Sequence, residues 1–341
     1  MQQKTDILIL KQQEIESLLN KQENKIMDVV QQAYELHAQG KSTLPHSSFL
    51  TFPNDMDNRI IALPAYLGEP FNVAGIKWIA SFPANIEKEG VARASAVLIL
   101  NSMTTGHPFS IMESSIISAK RTAASAALAA KNVVNEDVIE AGFIGCGLIN
   151  FEIFRFLSAT FKGLKTLTVF DKQPERAAAF VSKVQDIDPN YHLKVATSAE
   201  QVLESTPLIS LATTAATPYI DDLPVRLGSR TILLISLRDI SPKIISTNIN
   251  IVDDIDHVCR ANTSIHLAQQ QEGNTHFIKG TLIDVIQKRL SLREKSNETI
   301  IFSPFGLGVL DIALGKFIYD VALANNIGTK IDSFIGGEKI S

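Results

Sequence analysis

The sequence predicts an α/β protein in which a Rossmann-type doubly wound parallel sheet is joined to a discontinuous α+β domain. From Val138 onwards, strand-like and helix-like segments alternate, which is typical of a parallel sheet with right-handed crossovers. A glycine-rich turn, Gly145-Cys146-Gly147, joins the first of these strands to a helix. Residues 1 to about 130 show several successive strands instead, as an α+β domain would.

The first 130 residues begin with a short strand from Ile7 to Leu10. Apolar residues spaced three or four apart predict a helix from Ile15 to Ala38, and alanine-rich Ser115 to Ala130 predicts another. The strands expected between them are Ile60 to Leu63, Ala74 to Ile79, Ser95 to Leu100 and, after a turn at Asn101 to His107, Phe109 to Met112.

The strands expected in the second half are Ala141 to Ile144, Leu167 to Phe170, His192 to Val195, Leu208 to Ala212, Thr231 to Ser236 and Ile249 to Val252, with a helix at Glu175 to Val184. The charged stretch Ser291 to Glu298 is predicted to be a surface loop. Ile300 to Phe302 and the helix Leu310 to Asn325 could then return to the first domain. The predicted domains are residues 1–130 with 315–341, and residues 131–314.

With 341 residues, 45% hydrophobic and 20% charged, the chain has the composition of a soluble protein with two cores. Its net charge of -4 disfavours nucleic acid and anionic membranes as partners and predicts a small-molecule ligand. Two cysteines without metal-type spacing fit a reducing cytoplasm. No segment has the apolar length of a bilayer span, so we expect neither secretion nor membrane insertion.

The glycine-rich turn predicts a dinucleotide-binding loop. Gly145 would permit the tight turn, and Gly147 would let a pyrophosphate approach the backbone. The amides of Leu148 and Ile149 would then face the phosphates at the start of the helix. Asn150 replaces the third glycine of the usual pattern. Two glycines also occur at strand-helix junctions that bind no cofactor, so a cofactor-free domain is the alternative.

An acidic residue follows this loop at the expected distance. The strand Thr166 to Phe170 ends at Asp171, close to the position at which an acid binds the adenosine ribose. Aspartate accepts hydrogen bonds from both ribose hydroxyls and repels a 2′-phosphate, which predicts NAD rather than NADP. The neighbouring Lys172 is a cation that argues against this choice. Thr213 and Thr214 end another strand and could line the nicotinamide ribose.

Three cations are candidate substrate ligands. Lys77 lies in an apolar strand, Arg93 begins another strand, and Arg121 stands among alanines. Guanidinium groups bind carboxylates in a bidentate manner, so a pocket holding these three side chains would select an acidic substrate. The alternatives are a surface lysine and a salt bridge on a helix face.

Asp239 follows the strand Thr231 to Ser236 and is a candidate acid or base, because open α/β sheets bind ligands at the carboxyl ends of their strands. A turn-forming aspartate before Ser-Pro is the alternative. The loop Phe302 to Gly308 could close over the nicotinamide ring. None of the seven histidines forms a metal-binding pattern, and Asp253 to His257 is expected to be a solvated strand end, so we expect no metal.

Taken together, these motifs resemble the ornithine cyclodeaminase and μ-crystallin family. The segments that carry the resemblance are Gly75 to Lys77, Thr105 to Pro108, Arg121 to Ala124, Ile144 to Gly147, Asp239 to Lys243 and Phe305 to Leu307. The resemblance implies a dimeric, NAD(P)-dependent enzyme that acts on the C-N bond of an amino or imino acid. It also implies that the first domain binds substrate and forms the homodimer.

The resemblance implies roles for individual residues. Lys77 would bind a substrate carboxylate and handle protons, Arg121 would lie at the cofactor-substrate boundary, and Asp239 would be the acid/base. Further substrate contacts are implied for His46, Arg93, Arg238 and Phe305. Further cofactor contacts are implied for Arg121, Thr122, Ser236, Leu237, Lys243 and Pro304.

Within the family, Ile76 to Ile79, Arg93 to Asn101 and Val252 to Asp254 resemble a siderophore-pathway branch. Its members oxidise N-(2-amino-2-carboxyethyl)-L-glutamate with NAD and form L-2,3-diaminopropionate, 2-oxoglutarate and NADH. Arg93 and Arg238 are extra cations relative to cyclodeaminases, which suits three carboxylates better than the ammonium group of ornithine. The alternatives are an ornithine cyclodeaminase, another amino-acid dehydrogenase or ketimine reductase, and a non-catalytic crystallin-like NAD(P)-binding protein.

Overall fold

The computed structural model describes residues 5–134, 137–225, 228–290, 292 and 298–336, so most of the predicted loop at 291–298 lies outside the described residues. The chain forms two compact units, residues 1–121 with 307–341 and residues 122–306. These divisions fall earlier than the predicted ones at 130/131 and 314/315. Arg121 and Asp311, which lie close to the two boundaries, hydrogen-bond to each other inside the first unit.

The strands are β1 (Ile7–Leu10), β2 (Ser42–Thr43), β3 (Ser48–Phe52), β4 (Asp55–Leu67), β5 (Val73–Ser81), β6 (Ala94–Ser102), β7 (Pro108–Glu113), β8 (Glu140–Ile144), β9 (Thr166–Phe170), β10 (His192–Val195), β11 (Leu208–Leu211), β12 (Arg230–Leu234), β13 (Ile249–Val252), β14 (Ile278–Thr281), β15 (Thr299–Ser303) and β16 (Thr329–Ile331).

The helices are α1 (Gln12–Leu19), α2 (Glu23–Ala38), α3 (Asn85–Lys88), α4 (Ser115–Val133), α5 (Leu148–Thr160), α6 (Pro174–Ile187), α7 (Ala199–Ser205), α8 (Pro242–Thr247), α9 (Ile255–Val258), α10 (Ser264–Glu272), α11 (Leu282–Ile286) and α12 (Gly308–Ala324). Across the described part of the chain, no helix is both long enough and apolar enough to cross a bilayer.

The first unit is built on one mixed sheet with the strand order β16, β1, β7, β6, β5, β4, β2, and β3 pairs with β4. The strands β4 to β7 are antiparallel neighbours, and β1 runs parallel to β7. The predicted helix Ile15 to Ala38 is two helices, because Lys21 takes a left-handed conformation with φ of 57° between α1 and α2. Apolar spacing continues through both helices because both bury a face.

Helix α12 lies against β4, β5 and β6 of this sheet. Gly315 permits the close approach, since a Cβ added there would lie 2.3 Å from Leu98 Cδ2. The first turn of the helix lies over β4, where a Cβ added at Gly308 would lie 3.2 Å from the carbonyl oxygen of Leu63. This placement brings the buried Asp311 in the first turns of α12 over the sheet.

The second unit contains a parallel eight-stranded sheet in the order β10, β9, β8, β11, β12, β15, β13, β14. The order reverses between β8 and β11, which is the switch point where such sheets bind ligands. The doubly wound sheet predicted from the sequence is confirmed. Ile300 to Phe302, for which a return to the first domain was also considered, lies in β15, which pairs with β12 and β13 inside the second sheet.

Candidate functional site

A buried ionic cluster occupies the first unit. Lys77 on β5 donates from Nζ to Asp311 Oδ2 at 2.8 Å and to Ser118 Oγ at 3.1 Å. Arg121 on α4 donates from Nε to Asp311 Oδ1 at 3.2 Å. Lys77 is only 2% exposed, so it is not the surface lysine that its sequence context alone would favour. One carboxylate therefore orients two cations, and the three side chains together carry excess positive charge.

The pKa of Lys77 is strongly perturbed. Burial lowers it from 10.5 to about 8, and the charge of Arg121 lowers it too, whereas Asp311 opposes both effects. At neutral pH the amine is therefore mainly an ammonium group, which can bind a carboxylate, and it can still release its proton near physiological pH. These are the properties that a carboxylate-binding and proton-handling lysine needs.

Asp311 was not among the predicted site residues. It is completely buried in a helix whose neighbouring residues, from Gly308 to Gly315, are otherwise all apolar or glycine. That isolation was the available signal, because a buried aspartate is almost always paired. Its two cationic partners lie 234 and 190 residues away in the sequence, so local pattern could not identify them.

The other two predicted substrate ligands of this unit lie apart from Asp311. Arg93 immediately precedes β6, and its Nη1 donates to Ser81 Oγ on β5 at 2.8 Å. Burial lowers the pKa of Arg93, and the nearby charge of Arg59 lowers it further. His46 lies between β2 and β3 with its side chain exposed.

In the second unit, the two glycines of the loop have different reasons for being glycine. Gly145 has a φ of +88°, and a Cβ there would lie 2.5 Å from the carbonyl oxygen of Ala212. Gly147 has an ordinary φ of −87° and precedes α5, and a Cβ there would meet no atom within 4 Å. The chain itself thus requires Gly145, whereas Gly147 leaves open space before the amides of Leu148 and Ile149. A pyrophosphate would fit this space.

Asn150 explains how the loop is maintained without a third glycine. Its side chain is completely buried, and Nδ2 donates to the carbonyl oxygens of Ile144 at 3.0 Å and Gly145 at 2.6 Å. Ser210 on β11 donates from Oγ to Asn150 Oδ1 at 2.7 Å. The amide therefore links the start of α5 to β8 and β11 at the switch point.

Asp171, at the end of β9, is held beside this loop. Its Oδ2 accepts from the backbone amide of Cys146 at 2.7 Å, and its Oδ1 accepts from the amide of Gln173 at 2.9 Å. Each carboxylate oxygen has a further lone pair that a ribose hydroxyl could use. The Nζ atom of Lys172, the cation that argues against NAD, lies 5.4 Å from the ring centroid of Tyr219. This geometry fits an NAD-type adenosine ribose.

Asp239 is completely buried among hydroxyl groups. Thr213 donates from Oγ1 to Asp239 Oδ1, and Ser236 donates from Oγ to Asp239 Oδ2. The hydroxyl of Tyr219 also hydrogen-bonds to this carboxyl group. The pKa of Tyr219 is raised, mainly by burial and to a smaller extent by the charge of Asp239. The structure thus brings together three predicted residues and adds Tyr219, whose loop position offered no periodic signal. These contacts exceed those of a simple turn-forming aspartate.

The backbone changes direction immediately before Asp239. The predicted strand Thr231 to Ser236 ends at Leu234, and Leu237 has a φ of 69°. Such a conformation is uncommon for leucine, and backbone strain of this kind is often found at functional sites. Arg238, predicted to contact substrate, donates from Nη2 to the carbonyl oxygen of Ala261 at 2.7 Å.

Asp253 corrects one prediction. It was expected to be a solvated strand end, but it is buried and accepts from the amides of Phe305 at 2.8 Å and Gly306 at 2.7 Å. These amides, with that of Asp254 at 2.9 Å, satisfy the carboxyl group, although burial raises its pKa to about 6. Asp253 therefore anchors the loop predicted to close over the nicotinamide ring.

The remaining predicted cofactor contacts occupy varied environments. Thr214 follows β11 and is exposed, as is Lys243 in the first turn of α8. Thr122 is partly buried on α4, and Pro304 is buried after β15.

Comparison with known proteins matches residues 5–326 to the ornithine cyclodeaminase/mu-crystallin family. The N-((2S)-2-amino-2-carboxyethyl)-L-glutamate dehydrogenase of Staphylococcus aureus is 29% identical, over 96% of this chain and 99% of the relative. The alanine dehydrogenase of Archaeoglobus fulgidus is 28% identical, also over 96% and 99%. A solved archaeal alanine dehydrogenase dimer with bound NAD superposes with a TM-score of 0.84 at 28% identity, over 96% of this chain and 99% of that chain. The match extends through nearly all of the sequence, and the chain belongs to the ornithine cyclodeaminase/mu-crystallin family.

Proposed function

We propose that the protein is an NAD-dependent oxidoreductase that cleaves N-(2-amino-2-carboxyethyl)-L-glutamate oxidatively. The balanced reaction consumes this substrate, NAD⁺ and water, and yields L-2,3-diaminopropionate, 2-oxoglutarate, NADH and a proton. The observation that carries the proposal is the surplus of cationic groups in the first unit: the buried Lys77 and Arg121 share the one carboxylate of Asp311, and the partly buried Arg93 donates to a serine hydroxyl. Full-length similarity to a dehydrogenase of that name supports the choice of substrate.

The loop Gly145 to Ile149 and Asp171 would hold the cofactor. The open space at Gly147 would admit the pyrophosphate, the first amides of α5 would bind it, and Asp171 would bind the adenosine ribose. Burial and the charge of Asp171 raise the pKa of Cys146 to about 12, so its thiol remains neutral within the loop. When bound, NAD⁺ supplies the acceptor for the hydride lost from the glutamyl Cα.

Lys77 and Arg121 would bind a substrate carboxylate, with Asp311 holding both cations in position. Asp239 would take a proton from the substrate nitrogen or from the water that hydrolyses the imine. Its carboxylate oxygens already accept hydrogen bonds from Thr213 and Ser236, which fix its orientation. A base held in this way transfers protons without first losing conformational freedom.

We also propose that the protein acts as a homodimer. One face of the first unit's sheet exposes three large apolar side chains, Leu50, Trp78 and Val97, which are 46%, 44% and 41% exposed. Trp78 and Val97 are directly paired between β5 and β6. An exposed apolar patch of this kind is typical of an interaction surface. The solved archaeal alanine dehydrogenase is itself described as a dimer.

A cytoplasmic role in siderophore biosynthesis completes the proposal. Cys146 and Cys259 are both free thiols, which fits a reducing compartment. The siderophore role rests on the motifs of the sequence that resemble the siderophore-pathway branch of the family.

Steady-state NADH absorbance with a panel of substrates tests the proposal. We expect sustained NADH formation with N-(2-amino-2-carboxyethyl)-L-glutamate and much lower rates with L-alanine, L-proline and L-ornithine. A cyclodeaminase would consume ornithine without net NADH, and a non-catalytic binding protein would turn over none of the four. Preference for alanine would show an alanine dehydrogenase and would contradict the proposed substrate.

A further inference from the structure

A second group of cations lies on the sheet of the first unit and involves Arg59, which sequence analysis did not single out. Arg59 on β4 is directly paired with Ser81 on β5. Arg93 donates from Nη1 to Ser81 Oγ at 2.8 Å, and its pKa is lowered by the charge of Arg59 as well as by burial. The two arginines therefore flank Ser81, and their charges are close enough to affect each other.

This pair has no compensating acid. Among the residues that the structure describes, neither Arg59 nor Arg93 forms an ion pair with a carboxylate, and the buried Nε of Arg59 has no hydrogen-bond partner. Leaving a buried donor unsatisfied is unfavourable, and two neighbouring guanidinium groups repel each other. Both costs would disappear if a carboxylate bound between them, because it can accept from two guanidinium groups at once.

The arginine pair and Lys77 lie along one face of the sheet. The cross-strand pairs Leu63 with Lys77, Ile61 with Ile79, and Arg59 with Ser81 follow one another at intervals of two residues. Side chains two residues apart on a strand point to the same face, so Lys77 and Ser81 share a face and are separated by about 13 Å along β5. The face thus offers two cationic groups with an apolar pair between them.

We propose that Arg59 and Arg93, the latter oriented by Ser81, form a second carboxylate subsite that binds the distal carboxylate of an amino-acid substrate with more than one carboxylate. The first subsite is at Lys77 and Arg121. The identification of the substrate rests on the proposed function, whereas the two-subsite arrangement rests on the arginine pair. An extended N-(2-amino-2-carboxyethyl)-L-glutamate spans roughly 9 Å between its outer carboxylate carbons. With the length of a hydrogen bond added at each end, this span is comparable to the separation of the two groups of cations.

The subsite also assigns a role to Ser81. Its hydroxyl accepts from Arg93, so that guanidinium is held on the same face as Arg59 rather than extended into solvent. Ser81 is a positioning residue in this arrangement, and Arg59 is a specificity-determining one. An enzyme that binds only a monocarboxylate would have no use for the pair.

Calorimetric binding to the NAD-loaded protein tests this subsite with two ligands that differ in one group. 2-Oxoglutarate carries the distal carboxylate, and 2-oxopentanoate lacks it. We expect Arg59→Met, which keeps the aliphatic volume, to weaken 2-oxoglutarate binding roughly 10- to 100-fold, as expected for loss of a charge-assisted hydrogen bond. Binding of 2-oxopentanoate should change less than about 3-fold, and Arg59→Lys should restore part of the loss.

The matched control is Arg289→Met, which removes an exposed arginine of the second unit that pairs with Asp284. It should leave the binding of both ligands unchanged. Without ligand, Arg59→Met should melt at or above the wild-type temperature, because it removes an unsatisfied donor and a like-charge repulsion. Equal loss of both ligands, no loss of 2-oxoglutarate binding, or a lowered melting temperature would overturn the subsite.

The test separates this inference from the proposed function. If 2-oxoglutarate binding depends on Arg59 but N-(2-amino-2-carboxyethyl)-L-glutamate yields no NADH, the proposed function is wrong and the subsite stands. If that substrate is turned over and Arg59→Met leaves its KM unchanged, the proposed function stands and the subsite is wrong.

Discussion

Replacing Asp311 with asparagine should destabilise the protein by about 3 kcal/mol at pH 7. The change keeps the size of the side chain but leaves Lys77 and Arg121 without their buried counter-charge. Removing one partner of a buried ion pair typically costs 3–5 kcal/mol. We expect the lower end of this range because Lys77, with a pKa of about 8, can release its proton at pH 7 at a cost of only about 1 kcal/mol.

Thermal unfolding at two pH values measures this effect. A loss of about 3 kcal/mol should lower the melting temperature by roughly 6 °C or more at pH 7. The loss should be smaller by about 1 kcal/mol at pH 9, where wild-type Lys77 is already mostly neutral and Asp311 stabilises its charge less. This pH dependence distinguishes a lost counter-charge from a packing defect, whose cost would not change with pH.

The matched control is Asp320→Asn on the same helix. Asp320 is 53% exposed and pairs with Lys316 at 2.6 Å, four residues earlier. Exposed pairs at this spacing contribute only about 0.3–0.5 kcal/mol, so the control should melt within about 2 °C of wild type. If Asp311→Asn behaves like Asp320→Asn, or if its penalty is the same at pH 7 and pH 9, the ionic account of the cluster is refuted.

Three further predictions concern activity and cofactor binding. As the pH rises through about 8, kcat/KM should fall, because Lys77 loses the positive charge that binds carboxylate. In a pH-rate profile, Lys77→Arg should shift this decrease to higher pH. Asp239→Asn should keep NAD affinity within about 3-fold in a fluorescence titration but lower kcat by at least about 100-fold, and near-normal kcat would exclude the acid/base role. Gly147→Ala should fold normally and weaken NAD binding, whereas Gly145→Ala should lower the melting temperature as well, since its Cβ would lie 2.5 Å from Ala212 O. Equal melting temperatures for the two glycine variants would contradict this distinction.

The parallel sheet and its loop could be predicted because their signals are local. Apolar strands alternate with helices from Val138 onwards, and Gly145 stands where the chain must take a positive φ. The helix break at Lys21 escaped prediction because apolar residues keep their spacing on both sides of it. Periodicity reports which face is buried and not whether the backbone is continuous.

Residues whose role depends on distant partners were harder to identify. Asp311 becomes meaningful only when α12 is placed on β5, and Arg59 only when the register sets it opposite Ser81. Neither relation is encoded by nearby residues. Asp253 was misassigned for the same reason, because its partners Phe305 and Gly306 follow more than 50 residues later.

Product stoichiometry tests the central claim most directly. Purified protein with N-(2-amino-2-carboxyethyl)-L-glutamate and NAD⁺ should form NADH, 2-oxoglutarate and L-2,3-diaminopropionate in equal amounts, measured by absorbance and mass spectrometry. Ornithine converted to proline and ammonia without net NADH, or NADH formed without 2-oxoglutarate, would contradict the proposed reaction.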